Sequence, residues 1–404
     1  MESSDNEMKR YLVGGAVRDR LLGIPPRERD WLVTGADAGT LCARGYRRVG
    51  RDFPVFLHPQ SGEEHALPRG GSEHTGARER IEADLRLRDL TINAIAEGED
   101  GALIDPLGGH RDLEQRILRH APGFPDDPVR VLRLARFAAR YEHLGFRVAE
   151  ETRALIRRMA GDGALQDLVP ERVWSEIERA LGGPRPRVFF DTLRTCGALR
   201  PLLPELDRLY GVAQPPQHHP EIDCGEHTML VLEQACRLDE SRQMRFAALV
   251  HDLGKADTPR EILPRHIGHE QRGVWRVTEL CARLRIPNDY RDLAVAVARF
   301  HGQAHKALEL RPATLLRLIL GLDGLRNPTR FEWFVLACEA DSRGRKGFGQ
   351  RPYPQAGFLR RMRAAAVAVD AGALAAARPD DLPGAIKRAR VEAIRRARQA
   401  WSAP

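Results

Sequence analysis

The sequence near the N-terminus combines a glycine turn with two acidic residues that alternate along a predicted strand. Residues 12–19 predict a strand, a Gly14-Gly15 turn and a short helix, and residues 28–33 predict a second strand. Side chains two apart on a strand share a face, so Glu28 and Asp30 should project together beside the turn. Magnesium is commonly held by carboxylates plus phosphates, and a helix N-terminus attracts the anion itself. The pattern predicts a site for a metal-bound triphosphate.

Each of these motifs also has a plainer explanation. The glycine turn alone matches an ordinary strand-turn-helix connection, and the acidic pair alone matches a solvated strand end. Glu64 is a candidate third carboxylate from a neighbouring strand, although an exposed structural glutamate has the same appearance. Taken together, the motifs favour phosphoryl or nucleotidyl transfer. Two bound cations would activate an attacking hydroxyl and stabilise the leaving pyrophosphate.

The length and composition of the chain indicate a folded protein of several domains. Its 404 residues suffice for two to four domains, and 64 Lys plus Arg against 56 Asp plus Glu give a net charge of +8, which favours polyanions weakly. The six cysteines are scattered without a Cys-x-x-Cys pair, so no zinc ribbon or disulfide framework is indicated. No signal peptide or membrane-length apolar run is found. We expect a soluble, cytoplasmic protein with no membrane contact.

Strand-like patterns are concentrated in residues 10–110, and helical spacing begins at Asp127. A polar, glycine-containing segment, residues 68–80, is predicted to be a mobile loop. Proline and glycine breaks interrupt the helices at residues 184–186, 214–216 and 344–354. The predicted division comprises a head at 1–122, a neck at 123–180, a body at 181–220, a histidine-rich domain at 221–345 and a basic tail at 346–404.

Arginines recur along the first predicted helix after the head. Asp127 is its predicted N-cap and Pro128 its first helical residue. The basic positions follow helical spacing and form one stripe: Arg130, Arg133, Arg136 and Arg140. The positions predicted to face the core are Val131, Leu134, Ala135 and Ala138. Such a stripe is often only a solvated face, but its place directly after the head favours a functional one.

Histidines cluster in the second half of the chain. Eight of the 14 histidines lie between His218 and His305, around the segment His251-Asp252 at the end of a predicted helix. The surrounding candidates are His227 upstream and His266, His269, His301, His305 and Asp341 downstream. Adjacent His and Asp with further His and Asp from other helices can form a nitrogen and oxygen shell for a metal. A structural His-Asp pair is the alternative, and the density of histidines favours the metal site.

Together these motifs resemble the bacterial tRNA nucleotidyltransferase family, the CCA-adding enzymes, in the long form with a C-terminal HD domain. The resemblance runs from Tyr11 to about Arg345. It implies an α+β fold: a nucleotidyltransferase head with a small mixed β-sheet, followed by an all-α neck, body, HD domain and tail. It also implies tRNA 3′ acceptor ends as partner, CTP and ATP as substrates, and a monomer or homodimer.

The resemblance assigns roles by position in the motifs. Gly15 and Arg18 resemble triphosphate contacts, and Glu28 and Asp30 resemble the Mg²⁺ carboxylates. The remaining nucleotide-binding positions are Arg88, Arg133 and Arg136, with Asp127 and Arg130 as the pair that reads the incoming base edge. An Asp acceptor and an Arg donor fork can offer a complementary edge to cytosine and, rearranged, to adenine. Arg88 is placed at a predicted helix start over residues 88–94.

The second constellation resembles the HD signature through His227, His251 and Asp252, with Asp341 as a further ligand. The resemblance implies a divalent transition metal, with Ni²⁺ as a candidate. It also implies phosphohydrolase activity as phosphatase, 2′-nucleotidase and 2′,3′-cyclic phosphodiesterase.

Two departures from the family pattern bear on the head. Glu28 stands where the first metal carboxylate is normally aspartate, which moves the oxygens by about 1.5 Å, and Mg²⁺ requires near-ideal octahedral geometry. Residues 68–84, near the loop that switches from C to A addition, are shorter than usual. We therefore expect C addition more firmly than completion with A. The alternatives are a poly(A) polymerase, which generally lacks the HD domain, and an impaired RNA-binding or HD-type regulatory protein.

Overall fold

A computed structural model describes residues 8–26, 28–49, 55–70, 75–217, 219–377 and 380–402. The chain forms two compact units. The first comprises Met1–Asp167 with Thr195–Ala198, and the second comprises Leu168–Arg194 with Leu199–Pro404. The five-part division predicted from the sequence is finer than this and stays a prediction. The predicted fold class is confirmed, because a head with a mixed sheet precedes an all-helical remainder.

The first unit contains the strands and the first six helices of the described chain. Its strands are β1 Lys9–Val13, β2 Asp30–Thr34, β3 Arg47–Val49, β4 Val55–Leu57, β5 Glu64–Ala66, β6 Ala96–Gly98, β7 Leu103–Ile104, β8 Ile117–Leu118 and β9 Arg147–Val148. Its helices are α1 Gly15–Leu21, α2 Ala38–Ala43, α3 Ala77–Arg86, α4 Gly109–Glu114, α5 Arg130–Tyr141 and α6 Glu150–Gly161.

Seven of the strands form one mixed sheet in the order β3-β4-β5-β2-β1-β6-β7. β2 and β5 are parallel, whereas the other neighbours in the sheet are antiparallel. The parallel register sets Asp30 opposite Glu64. Since parallel strands start at the same edge, the first residues of both strands lie side by side.

The sheet buries side chains on both faces, as the period of two along β2 requires. Leu32 packs into a cluster with Val13 of β1 and with Ile81 and Leu85 of α3. Val33, its neighbour on β2, packs into a second cluster whose other members are Leu41, Tyr46 and Phe56. The two helices α2 and α3 therefore cover β2 from opposite sides and fix its position in the sheet.

Three boundaries in the head differ from the sequence predictions. β2 begins at Asp30 and not at Glu28, because its partner β1 ends at Val13, opposite Asp30, where the chain turns. Helix α3 occupies the end of the predicted mobile loop, because its apolar side chains pack on the sheet; residues 71–74 of that loop lie outside the described residues. The predicted helix after Arg88 is a single 3-10 turn, Thr91–Asn93.

Beyond the sheet, the basic helix has its predicted faces but a later start. All four predicted core positions of α5 are buried and the four arginines are partly exposed. The helix begins at Arg130 with Val129 as N-cap, so the assignment of Asp127 as N-cap was wrong. The Asp127 side chain instead accepts from the backbone N–H of Val129 at 3.2 Å, closing a turn before the helix. The strand β9 also interrupts the run of helices predicted from Asp127 onward, because it pairs in parallel with β8.

The second unit is helical throughout its described residues. Its helices are α7 Pro170–Leu181, α8 Pro186–Thr195, α9 Leu199–Leu202, α10 Pro204–Asp207, α11 Cys224–Leu238, α12 Arg242–Val250, α13 His269–Arg283, α14 Asn288–His305, α15 Pro312–Gly321, α16 Pro328–Arg343, α17 Pro354–Val367, α18 Ala371–Ala376 and α19 Leu382–Gln399. The three predicted breaks are confirmed, since each separates two of these helices, with Pro186 and Pro354 as the first residues of α8 and α17. Among the described residues, no helix has the length and apolar character needed to cross a bilayer.

Four helices of the second unit, α11, α12, α14 and α16, pack against one another, and α13 packs on the 3-10 helix Leu253–Asp257. Gly254 makes the last contact possible. A Cβ on this residue would collide with the carbonyl oxygen of His269 and the backbone nitrogen of Gly273. The start of α13 is thereby held against the chain that follows α12.

A buried carboxylate ties α1 to α5 within the first unit. Asp19 accepts from Arg18 at 2.7 and 2.8 Å, from Arg140 at 3.1 Å and from the Tyr141 hydroxyl at 2.9 Å. Asp19 and Arg18 are only 5% and 3% exposed. Removing one partner of a buried ion pair leaves the other charge uncompensated.

We predict that Asp19→Asn lowers the free energy of unfolding of the first unit by about 3–5 kcal/mol. Thermal unfolding followed by circular dichroism checks this, with the exposed Asp162→Asn as the matched control. A melting profile of Asp19→Asn equal to that of the control would contradict the role of this ion pair.

Candidate active sites

Three acidic side chains meet at one edge of the sheet. Asp30 opens β2, Glu64 opens β5 opposite it, and Glu28 lies two residues before Asp30. All three are exposed. The sequence predicted that Glu28 and Asp30 project together, with Glu64 as a candidate third carboxylate. The parallel register of β2 and β5 sets Glu64 beside Asp30.

The carboxylates repel one another. Partial burial raises the pKa of Asp30, Arg88 opposes this shift and the charge of Glu28 adds to it. Partial burial also raises the pKa of Glu64, and both Asp30 and Glu28 raise it further. Carboxylates that lie this close together favour the binding of a cation, because the cation attracts each of them and offsets their mutual repulsion. Oxygen donors of this type suit Mg²⁺. The residues present therefore fit a divalent cation.

The glycine turn lies beside this group. Gly14 is the N-cap of α1 with φ +68°, and a Cβ there would lie 2.6 Å from Nη1 of Arg88. The positive φ favours glycine at this position, and the guanidinium of Arg88 occupies the space that a side chain would take. Since Arg88 also lowers the pKa of Asp30, its guanidinium is near both the turn and the carboxylates. The structure brings these predicted residues together.

Arg18 lies near the turn as predicted, but its guanidinium already has partners. It donates to Asp19 and, at 2.6 Å, to the Asn93 side chain, and it lies over the ring of Phe137 at 5.1 Å. Its Nη2 is 3.5 Å from the position that a Cβ on Gly15 would occupy. The sequence indicated the location of Arg18 but not this buried environment, which depends on side chains distant along the chain.

The arginines of α5 are tied to the segment that follows α3. Arg130 donates to the carbonyl oxygen of Arg88 at 3.2 Å and to that of Gly123. Arg133 donates to Asp89 at 2.9 Å. Burial raises the pKa of Asp89, but Arg133 and a hydrogen bond from Asn93 outweigh it and lower the pKa overall. The sequence predicted no role for Asp89, although this residue lies in the segment 88–94.

Arg136 and Asp127 are the remaining predicted positions on and before α5. Arg136 packs over the Phe137 ring at 4.9 Å, one turn beyond Arg133. Asp127 lies in the turn before α5, three residues from Arg130.

The second unit contains a buried cluster of histidines and aspartates. Nε2 of His227 lies 3.1 Å from Oδ1 of Asp341, and Nε2 of His251 lies 3.7 Å from the same oxygen. Asp252 approaches from the other side, with Oδ2 at 3.0 Å from His251 and 3.8 Å from His227. All four residues are at most 5% exposed. The structure therefore brings together all four residues predicted for the HD site.

The histidines direct one nitrogen each toward the cluster. Nδ1 of His227 lies 3.1 Å from the Gly344 carbonyl oxygen, and Nδ1 of His251 lies 2.8 Å from that of Ala248. Carbonyl oxygens accept hydrogen bonds, so each Nδ1 carries the proton and each Nε2 presents a lone pair. Nε2 of His251 and Oδ1 of Asp252 are buried without a hydrogen-bond partner. Both atoms carry lone pairs that no hydrogen bond satisfies, and such atoms suit a divalent transition metal as ligands.

Charge balance supports the same interpretation. In the metal-free chain, burial raises the pKa of Asp252, but the positive charges of a protonated His251 and of Lys255 outweigh it and hold the pKa well below its usual value. A bound metal ion would take the place of the proton on Nε2 of His251. The same competition, with His305 and His251 as the opposing charges, holds the pKa of Asp341 low. Both aspartates are therefore carboxylates at neutral pH, as metal ligation requires.

The other histidines predicted near the HD site differ in whether they contact the cluster. His269 and His301 face the cluster, whereas His266 contacts the Thr258 hydroxyl and the Ala213 carbonyl oxygen and does not join it. Sequence reasoning missed Glu221, which lies 3.0 Å from Nδ1 of His227. No spacing signal marks this glutamate, because it comes from the irregular segment before α11. His218 lies outside the described residues.

Three family models match successive parts of the chain. The poly A polymerase head domain matches residues 10–119, a probable RNA and SrmB binding site of polymerase A matches residues 145–210, and the HD domain matches residues 224–325. The two sites described above fall in the first and third of these segments.

Whole-length relatives are also found. The multifunctional CCA protein of Thioalkalivibrio sulfidiphilus is 58% identical over 410 residues, covering 98% of this chain and 100% of the relative. The chain belongs to the multifunctional CCA protein family. A second multifunctional CCA protein, from Methylococcus capsulatus, is 54% identical over 98% of this chain and 96% of its own length.

Solved structures share the fold of this multifunctional CCA protein family member at low identity. A CCA-adding enzyme in complex with CTP has a TM-score of 0.67 at 20% identity, covering 96% of this chain and 87% of the other. The Thermotoga maritima CCA-adding enzyme complexed with tRNA has a TM-score of 0.63 at 19% identity, covering 96% and 90%.

We predict that Asp30→Asn stabilises the metal-free head at neutral pH. A group whose pKa is raised by folding destabilises the folded state above that pKa, so removing its charge should help most when the carboxylates are ionised. The gain should stay below about 1 kcal/mol because water screens these exposed groups.

Thermal unfolding in chelator and in Mg²⁺ checks this prediction. The advantage of Asp30→Asn should appear in chelator and shrink or reverse in Mg²⁺, whereas Glu79→Gln, an exposed control on α3, should respond equally in both. An advantage for Asp30→Asn that is the same with and without Mg²⁺ would show that these carboxylates do not share a cation.

Proposed function

We propose that the head adds and repairs the 3′-terminal CCA of tRNA from CTP and ATP, with release of pyrophosphate. The observation that carries this proposal is the pairing of Asp30 with Glu64, next to Glu28, beside the Gly14 turn and Arg88. Glu28 and Asp30 would hold Mg²⁺, with Glu64 as the third carboxylate. Membership of the multifunctional CCA protein family supports the same activity.

Bound divalent cations would supply activation of the attacking tRNA hydroxyl and charge neutralisation at the leaving pyrophosphate. The chain's own residues would bind and orient the nucleotide. Gly15 offers backbone beside the triphosphate, and Arg88 adds a positive charge between the turn and the carboxylates. Arg18, held by Asp19, would act mainly by keeping the turn in place.

The base would be read on α5. Asp127 and Arg130 are three residues apart, and an acceptor beside a donor fork can pair with the edge of cytosine or adenine. Arg130 donates to two backbone carbonyl oxygens in this structure, so base reading would exchange one of these bonds for a bond to the nucleotide. Arg133 and Arg136 would bind further parts of the nucleotide.

We further propose that the HD domain is a metal-dependent phosphohydrolase, acting as phosphatase, 2′-nucleotidase and 2′,3′-cyclic phosphodiesterase, with Ni²⁺ as a candidate metal. His227, His251, Asp252 and Asp341 would hold the ion. The buried lone pairs of His251 and Asp252 support this role, because nothing in their described surroundings donates a hydrogen bond to them.

A nucleotide incorporation assay separates this proposal from its alternatives. Purified protein is incubated with tRNA lacking CCA, Mg²⁺, and labelled CTP or ATP, singly and together. Addition of two C and then one A supports CCA addition, long A tracts support a poly(A) polymerase, and tRNA binding without incorporation supports an impaired RNA-binding protein. Addition that stops after two C would locate the effect of Glu28 and residues 68–84 in the switch to A.

We predict that Asp30→Ala lowers nucleotide incorporation at least about 100-fold, since loss of even supporting groups around a metal costs 10–100-fold. Hydrolysis of a phosphate ester by the HD domain should be unchanged, as should incorporation by the control Asp162→Ala. Retained incorporation by Asp30→Ala would remove this residue from the catalytic centre.

Removing a ligand of the HD cluster should affect hydrolysis and not nucleotide addition. His251→Ala should abolish hydrolysis of phosphate esters while leaving CCA addition intact, because it removes a nitrogen ligand from the second unit only. His266→Ala, outside the cluster, serves as control. Equal loss of both activities in His251→Ala would indicate a folding defect and leave no support for a separate hydrolytic site.

A further inference from the structure

We infer that Arg345, in the segment after α16, binds the phosphate group of the substrate at the HD site. The ligand class is an anionic phosphate ester, whose free phosphate oxygens accept hydrogen bonds from the guanidinium. This inference rests on the proposed phosphohydrolase and adds a substrate-binding residue outside its metal-ligating side chains.

The guanidinium of Arg345 has no charged partner. Its Nε is buried without a hydrogen-bond partner, and no carboxylate in the described part of the chain forms a salt bridge with it. Arg343, two residues earlier, has a different environment, since it pairs with Glu339 at 2.8 Å and donates to the Arg351 carbonyl oxygen at 3.1 Å. A buried donor without an acceptor costs free energy, and a ligand with oxygen acceptors removes that cost. Arg345 is therefore suited to bind an anion.

The backbone on either side of Arg345 contacts side chains at the HD cluster. The carbonyl oxygen of Gly344 lies 3.1 Å from Nδ1 of His227, and the backbone N–H of Lys346 donates to Glu221 at 3.2 Å. Glu221 in turn lies 3.0 Å from Nδ1 of His227. Arg345 is thus held between two contacts that both lead to His227.

Gly344 allows this segment to lie against α11. A Cβ on Gly344 would be 2.6 Å from Cα and 2.7 Å from the backbone nitrogen of Val231. Val231 follows His227 by about one turn of α11. Asp341, on the last turn of α16, is four residues before Arg345. The backbone of Arg345 is therefore positioned by the same two helices that carry two of the predicted metal ligands.

The positive charge of Arg345 acts on two side chains beside the cluster. Burial lowers the pKa of His219 to about 4, and neighbouring positive charges, Arg345 among them, lower it further. Burial raises the pKa of Tyr353, and the charge of Arg345 opposes this shift. The rings of His219 and His227 are 4.7 Å apart, and the Tyr353 hydroxyl lies 3.1 Å from Nδ1 of His305. The guanidinium therefore lies near side chains that contact the cluster from two directions.

The buried lysine of this region is already occupied. Nζ of Lys255 lies 2.6 Å from Oδ2 of Asp252 and donates to Gln214 at 2.8 Å. Arg345, by contrast, has donors without acceptors. A guanidinium also presents its N–H groups in a planar fork that matches two oxygens of one phosphate. Of these two cations, Arg345 is the one available to a phosphate ester.

Kinetics of ester hydrolysis by the full-length protein loaded with Ni²⁺ test this inference. Arg345→Gln should raise the KM for 2′-AMP and the inhibition constant of inorganic phosphate about 10–100-fold, because a charged hydrogen bond is lost. The kcat should change less than the KM, since the bond is made to substrate and transition state alike. Arg343→Gln, the matched control, should leave both constants unchanged.

Two further measurements separate binding from catalysis and from structure. Calorimetric titration with inorganic phosphate should show the same loss of affinity in Arg345→Gln relative to Arg343→Gln. The metal content of the two variants, counted by mass spectrometry, should be equal. Loss of the ion from Arg345→Gln alone would overturn the inference, because it would assign Arg345 a structural role.

Unchanged KM and phosphate affinity in Arg345→Gln would also overturn the inference, and they would leave the phosphohydrolase in place. A parent protein that binds phosphate through Arg345 but hydrolyses no ester would keep the phosphate site and reject the phosphohydrolase. If Arg345→Gln fails to fold, Arg345→Lys takes its place. It keeps the charge but not the fork, so a smaller rise in KM is expected, and an unchanged KM would contradict the role of Arg345.

Discussion

The parallel pairing of β2 with β5 is the constraint on which the head depends. It sets Asp30 directly opposite Glu64 at the edge where both strands begin, and β1 ends beside them at the Gly14 turn. Leu32 and Val33 fix β2 from both faces, so the backbone positions of Asp30 and Glu64 stay next to each other. The sheet thus sets the first residues of β2 and β5 side by side, and a divalent cation is a favourable partner for their carboxylates.

The HD cluster achieves the same end in a buried setting. There the rings are oriented by hydrogen bonds from Nδ1 to carbonyl oxygens, and the aspartates are kept ionised by neighbouring positive charges. Without a cation, the HD cluster bears the free-energy cost of buried lone pairs that accept no hydrogen bond. The carboxylates at the edge of the sheet bear the cost of repelling one another. A cation would therefore be favoured in the second unit by buried lone pairs and in the first by charge repulsion between carboxylates.

Local patterns predicted much of this arrangement. The spacing along α5 identified its buried and basic faces, and the segment His251-Asp252 with His227 and Asp341 identified a cluster that the structure brings together. What escaped prediction depends on partners distant in sequence. The start of β2 is set by the end of β1, and the environment of Arg18 by Phe137 of α5. The contact of Glu221 with His227 comes from an irregular segment. Spacing carries no signal for such contacts.

The most direct test of the head is anomalous diffraction from crystals grown with Mn²⁺ and CTP. If the paired carboxylates form the metal site, an anomalous peak should lie about 2 Å from carboxylate oxygens of Asp30 and Glu28, with the triphosphate at the Gly14 turn. A CTP complex whose Mn²⁺ peak lies away from Asp30, with no cation between the turn and β2, would contradict this assignment.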